Sequence, residues 1–141
     1  MSLDIIRQTP PEPAAPTFHA GADLIALNSQ FRNNKPSEII RFSIEQAKNP
    51  IIFTNFRPMA IAFLHLATQF KQNIPVIWVD HGFNTPETYR HISRVVEYLN
   101  LNLQVYSPKM SAAHYTAVHG PIPALDTPAH DLFSRIVKLE P

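Results

Sequence analysis

"VIWVDHGFNTPETYR", Val76 to Arg90, decides how this chain folds. Its first four residues are an unbroken apolar run, the pattern of a parallel strand covered on both faces. Asp80 and Gly82 follow at once, and Thr85 and Pro86 then supply an N-cap and a first helical residue. The stretch therefore reads as strand, corner and helix start. The chain has only three glycines among its 141 residues, so one placed beside a carboxylate at a strand end needs a physical reason.

Working outward, "IIFT", Ile51 to Thr54, is a second continuous apolar run, while "LNLQVY", Leu101 to Tyr106, alternates as a half-exposed strand does. The first two strands are expected to be central and the third an edge. Helical patterns separate them at about Pro58 to Gln72 and Pro86 to Leu99, the latter burying Tyr89, Ile92, Val96 and Leu99 and turning Arg90, His91, Arg94 and Glu97 to water. Strand, helix, strand, helix, strand predicts an α/β fold with right-handed crossovers and a three-layer, doubly wound parallel sheet. Two further helices are expected upstream, one from Gly21 with Leu24, Leu27 and Phe31 on a stripe, and one near Pro36 to Lys48. Downstream, "KMSAAHYTAVHG" reads as a helix ending at Gly120, "PIPALDTP" as a loop and "AHDLFSRIVKL" as a last helix. Four prolines in "TPPEPAAP", Thr9 to Pro16, make residues 1–20 a lead-in to a single domain over 21–141.

Composition narrows the function classes. Apolar residues make up 45% and charged residues 16%, which is globular, and a net charge of +1 provides no general field for nucleic acid or membrane. The aromatics do not interleave with basic residues as a nucleic-acid platform requires. No apolar run reaches the ~18 residues of a membrane span, and the N-terminus lacks the basic start and apolar core of a signal peptide, so a soluble cytoplasmic protein is expected. The sequence contains no cysteine, which removes disulfides, thiolate metal sites and thiol nucleophiles from this polypeptide acting alone. His114 and His119 stand five apart, a poor spacing for shared ligation on a helix, so no metal site and no cofactor are expected. His65 shares a polar helical face with Thr68, Gln69 and Gln72, and Trp78 belongs to the core.

In open parallel sheets, ligands sit beyond the carboxyl ends of the strands, which is where Asp80 and Gly82 fall. Glycine there adopts positive φ or lets a ligand approach the backbone. Aspartate accepts hydrogen bonds from hydroxyls or amines, and the helix from Pro86 adds a favourable N-terminal field. The residues alone leave a plainer alternative open, in which Gly82 turns the chain and Asp80 caps the loop.

"DHGFNTPETYR" resembles the D-T-G-x-x-F-P-E-T-Y-R signature of the adenylyl sulfate and phosphoadenylyl sulfate reductases, within the PP-loop or adenine nucleotide alpha hydrolase-like superfamily. "IPVIWV", "LNLQVY", "FLHLATQ", "SAA" and "KLEP" are similar to family segments in the same order, so the resemblance covers about Asn49 to Pro141. It implies a nucleotide site at the strand ends. The loop Thr54 to Pro58 would face phosphate or sulfate, and Asp80 and Gly82 would lie beside the adenosine end. Thr54, Asn55, Arg57, Asp80 and Gly82 map onto that site, and His81 stands where the family has threonine. An adenine nucleotide or sulfonucleotide is the implied ligand.

Two departures matter. Where the family carries a small, Ser- and Gly-rich phosphate loop, this chain reads "TNFRPMA", with Arg57 at the family's glycine position and Pro58 lacking an amide hydrogen. Arg57 offers either a bidentate contact to an anion or only a solvated side chain ahead of a helix. The family also attacks its substrate with a cysteine near the C-terminus and holds its anionic groups with basic residues beyond the "KLEP" region. This sequence ends at Pro141 without a cysteine, so the polypeptide alone is expected not to run the reductase cycle. Three readings follow: a nucleotide-binding scaffold without thiol chemistry, an adenylyl-transfer enzyme of another PP-loop class, or a non-catalytic homodimeric interaction module. An open apolar edge at Ile51 to Thr54 further predicts homodimerisation across it or cover from the N-terminal helices.

Overall fold

The computed structural model describes residues 23–141. The proline-rich lead-in and Gly21 lie outside the described residues. The described residues fall into two units, 23–34 and 35–141. In the first, helix α1 spans Leu24–Phe31 and begins there because the Asp23 carboxylate accepts from the amides of Ile25 and Ala26 at 3.0 and 3.1 Å. It buries none of its residues.

The second unit runs α2 (Pro36–Gln46), β1 (Ile52–Phe53), α3 (Pro58–Phe70), β2 (Pro75–Val79), α4 (Pro86–Leu99), β3 (Asn102–Tyr106), α5 (Ala112–His119) and α6 (Pro128–Ser134). A π-helical turn, Arg135–Leu139, continues α6. Proline opens α2, α3, α4 and α6, where its missing amide costs nothing and its fixed φ suits the first turn. Asn100, at φ 48°, ends α4, and Gly120, at φ 88°, ends α5 as its position in the sequence predicts.

All three strands are parallel and lie in the order β1-β2-β3. The α/β architecture and the alternation of strands and helices are as expected. Right-handed crossovers that step the same way across a sheet deliver their helices to the same face, so α3 and α4 cover one side together. That side is the core: Ile52, Val76 and Trp78 point into it and meet Leu64 and Ala67 of α3 and Ile92 of α4. The expectation that β1 is central needs correcting among the described strands, because β1 pairs only with β2. Its apolar run is not doubly buried. Ile52 is 5% exposed but Phe53 is 67% exposed, a half-covered alternation that an all-apolar stretch conceals in sequence. Helix α2 packs on α3 and leaves Ile51 and Phe53 exposed.

A second, smaller core gathers Tyr115, Phe133 and Val137 from the C-terminal helices, with Phe83 packed against it. Phe83 belongs to the corner after β2. That corner therefore joins the sheet to the C-terminal lobe.

Candidate functional site

Two loops at the carboxyl ends of adjacent strands form the candidate site. Each is anchored by a backbone bond into the sheet: Thr54 donates its amide to the Ile77 carbonyl at 2.9 Å, and Asp80 donates to the Tyr106 carbonyl at 2.8 Å. The ladder thus fixes both residues at the rim.

In the first loop, the buried Thr54 hydroxyl accepts from the Phe56 amide at 3.1 Å, and the Asn55 side chain accepts from the Arg57 amide at 3.0 Å. Two amides that a phosphate cradle would offer are already used within the loop. Pro58 has none to give, and Arg57, the N-cap of α3, makes no capping bond with its side chain. The exposed Arg57 guanidinium is left as the loop's cationic group. Positive φ in this loop falls at Phe56, one residue before Arg57. Phe56 has φ 54°, whereas Arg57 is extended at φ −72°. A left-handed Phe56 is strained by roughly 1–2 kcal/mol, and its ring, 3% exposed and edge-on to Trp78 at 5.8 Å, offsets that strain by burial.

In the second loop, Asp80 Oδ1 accepts three hydrogen bonds, from the Gly82 amide at 2.9 Å, the Asn84 side-chain amide at 3.1 Å and the Tyr89 hydroxyl at 2.9 Å. One carboxylate oxygen therefore ties the corner to the first turn of α4. Gly82 has φ 79°, and a Cβ on it would meet the Ala112 Cβ at 3.2 Å. The glycine takes the positive φ expected at this corner, and the group that comes close to its backbone is the start of α5. Asp80 likewise holds the loop.

His81 adds a defined donor. Its Nδ1 accepts from the Phe83 amide at 3.1 Å, which places the ring hydrogen of the neutral imidazole on Nε2, and its ring stacks on that of Phe83 with centroids 6.3 Å apart. Partial burial, and then the positive charge of Lys138, hold its pKa below the usual histidine value, while Asp80 pulls the other way. Lys138 belongs to the π-helical turn, so the positive charge of the C-terminal segment acts on His81. Burial, and then the bond to Asp80, raise the Tyr89 pKa.

A family model for the phosphoadenosine phosphosulfate reductase domain matches residues 49–141, which include both loops and the C-terminal helices. The chain belongs to this family. A phosphoadenosine 5'-phosphosulfate reductase of Xanthomonas axonopodis pv. citri is 34% identical over 129 residues, covering 91% of this chain and 54% of that relative. The corresponding protein of a Synechococcus species is 37% identical over 98 residues, covering 69% and 42%. The fold is similar to that of a phosphoadenylyl-sulfate reductase from Candida auris, solved as a phosphate complex, with a TM-score of 0.71 and 25% identity over 83% of this chain and 57% of that one. The chain spans about half the length of the curated relatives it matches.

Of the family residues mapped from sequence, Thr54, Asn55 and Arg57 share one loop, and Asp80, His81 and Gly82 share the next. Sequence reasoning passed over four others. Phe56, Trp78 and Tyr89 form an aromatic column, edge to face at 5.8 and 6.2 Å, that connects the two loops through the core. In the sequence Lys138 belongs to the last predicted helix and to the "KLEP" segment, neither of which points to the corner. Tyr89 was assigned to the buried stripe of α4, and only its position one turn into a helix that starts just beyond Asp80 signals a hydroxyl within reach. No group of three or more metal-ligating side chains occurs among the described residues. An open groove of about 940 Å³ lies between α3 and α4, lined by residues such as Ile61, His65, Arg94 and Tyr98. None of the six predicted site residues lines it.

Proposed function

We propose that this chain is a nucleotide-holding domain of the phosphoadenosine phosphosulfate reductase family, binding an adenine nucleotide or sulfonucleotide at the rim formed by residues 54–57 and 80–84. The observation that carries the reading is the Asp80 corner. A family-specific motif is held there by three hydrogen bonds onto one carboxylate oxygen, at the strand end where such sheets bind ligands. Arg57 and Lys138 supply positive charge for anionic groups. The His81 Nε2 hydrogen is a donor for a phosphate, ribose or base atom.

The polypeptide alone does not reduce its ligand. Reductive release of sulfite from a sulfonucleotide needs a thiolate to attack sulfur and a second thiol to resolve the product, and the sequence contains no cysteine. Adenylyl transfer is the weaker alternative. It depends on a phosphate cradle, and here the Phe56 and Arg57 amides are engaged while Pro58 lacks one.

Calorimetry with phosphoadenylyl sulfate, adenylyl sulfate, ATP and AMP tests the reading. Saturable heat with at least one of them, weakened about tenfold or more by Arg57→Ala through loss of a charge-assisted contact, is expected. Absence of heat with all four at millimolar ligand sinks it. Sulfite production by the purified chain with a dithiol reductant would overturn the claim that it cannot reduce alone.

A further inference from the structure

The residue before His81 belongs to the sheet, and the two after it reach the C-terminal lobe. Asp80 donates its amide to the Tyr106 carbonyl of β3 at 2.8 Å. A Cβ on Gly82 would meet the Ala112 Cβ at 3.2 Å, and Phe83 packs edge-on to Tyr115 of α5 at 5.9 Å and to Phe133 of α6 at 5.3 Å. His81 is therefore the joint between the sheet and the lobe. Its ring stacks on that of Phe83, and its Nδ1 accepts from the Phe83 amide at 3.1 Å, a bond that only the neutral imidazole can make. A proton on Nδ1 turns the acceptor into a donor, so two N–H groups face each other and the ring and the amide have to part.

We propose that His81 is an acid-operated latch on the C-terminal lobe, closed through the Phe83 amide while the ring is neutral and released by a proton on Nδ1, so that α5, α6 and the π-helical turn come away from an intact sheet. The charges acting on the ring favour this direction. Burial and then Lys138 lower its pKa, while Asp80, itself bonded to the Tyr89 hydroxyl of α4, opposes them. Lys138 belongs to the π-helical turn, so opening the lobe removes a charge that disfavours the imidazolium. Closed and open lobes then differ in proton affinity, and acid favours the open one. Two more imidazoles meet the small core, His119 on Tyr115 with centroids 4.8 Å apart and His130 on Phe133 at 5.9 Å. Both sit on the lobe's own helices and move with it, so neither ties it to the sheet.

Native-state hydrogen exchange of the chain at pH 8 and pH 5, with protection factors corrected for the intrinsic rate at each pH, tests the latch. It needs no nucleotide, so its outcome is independent of the proposed ligand. Protection of residues 112–139 is expected to fall several-fold between the two conditions. The ceiling is about 30-fold, set by a histidine that takes up its proton at 6.5 only when the lobe is open. His81→Asn, whose side-chain oxygen accepts from the Phe83 amide as Nδ1 does but has no proton to gain, should keep the protection seen at pH 8 and abolish the fall. His119→Gln and His130→Gln should leave the fall in place. Protection indifferent to pH overturns the inference, as does a fall that survives His81→Asn or disappears in either of the other two variants. Should His81→Asn fail to fold, Lys138→Met decides. It removes a charge that holds down the closed-state pKa, so a shrunken fall supports the latch and an undiminished one overturns it.

Discussion

Asp80 concentrates three donors on one oxygen, and its consequences are graded by which donor is removed. Tyr89→Phe keeps the ring against Trp78 and deletes one bond, so it is expected to lower stability by about 1 kcal/mol in urea unfolding. Asp80→Ala strands three donors and is expected to cost about 2–4 kcal/mol, while a cost no larger than that of Tyr89→Phe would deny Asp80 its hub role. Gly82→Ala faces both a left-handed φ and the Ala112 contact, and about 1–2 kcal/mol is expected from the conformation alone. His81 gives a pH signature. Its folded pKa lies below its ordinary 6.5, so the unfolded chain takes up the proton first and stability is lost as pH falls below 6.5 toward the folded value. Protonation also converts Nδ1 into a donor and breaks its bond to the Phe83 amide. His81→Thr should flatten that acid limb of a stability–pH curve, and a limb of unchanged steepness would rule His81 out as its source. At this scale the sequence was partly legible. The need for Gly82 was readable from its place after a strand, but its contact lies 30 positions away in Ala112, beyond any local pattern. Phe56 was unreadable for a different reason, since a large aromatic is the residue least suited to positive φ and only burial against Trp78 makes it tolerable there.

Local rules sufficed for the starts of α4, α5 and α6, because those boundaries are written in their own residues, while the expected ends of α2 and α3 at Lys48 and Gln72 fall two residues beyond the observed ones. Thr85, Ser111 and Thr127 accept from amides three residues on, and proline occupies the first position of α4 and α6. The predicted ends of α4 and α5 were met at Leu99 and Gly120. What failed was strand placement in the sheet, since order depends on pairing partners far apart in the chain. β1 and β2 are equally apolar in sequence, yet among the described residues β2 has two neighbours and β1 one. The π-helical turn was also invisible, because RIVKL carries no proline, glycine or other interruption. The middle of the sheet sets the largest single-site energies at this scale. Leu64 of α3 is fully buried against the strands, and Leu64→Ala is expected to cost about 2–5 kcal/mol. Val105→Ala on β3, whose side chain is 52% exposed, should cost under about 1 kcal/mol by loss of exposed strand propensity only. Comparable losses at the two sites in chemical denaturation would mean that the helix-covered face is not the principal core.

Two cores of unequal size imply two levels of stability in the second unit. The larger contains ten buried hydrophobics from α2 through the start of β3, and the smaller has three, from α5, α6 and the π-helical turn. Three buried side chains of this kind contribute roughly 5–9 kcal/mol of transfer free energy, set against the ordering of nearly thirty residues at about 1–2 kcal/mol each for the backbone alone. The lobe therefore cannot stand by itself and borrows order from the corner. Phe83 packs edge-on to Phe133 at 5.3 Å and to Tyr115 at 5.9 Å, and Gly82 lets Ala112 come close. Opening of α5 and α6 is expected as a sub-global event below the free energy of full unfolding, because it exposes the smaller core and leaves the sheet intact. Native-state hydrogen exchange should show amides of residues 112–139 exchanging by a lower-energy route than those of β2 and α4. Phe133→Ala should lower that route by about 3–5 kcal/mol or abolish the lobe's protection outright, while Val76 to Val79 keep theirs. Loss of protection in β2 to the same extent would mean that the two cores form one cooperative unit. The positive charge of Lys138, in this lobe, acts on His81, so opening of the lobe would also relieve His81 of that charge. Nucleotide binding, where it occurs, should then slow exchange in α5 and α6 more than in the sheet.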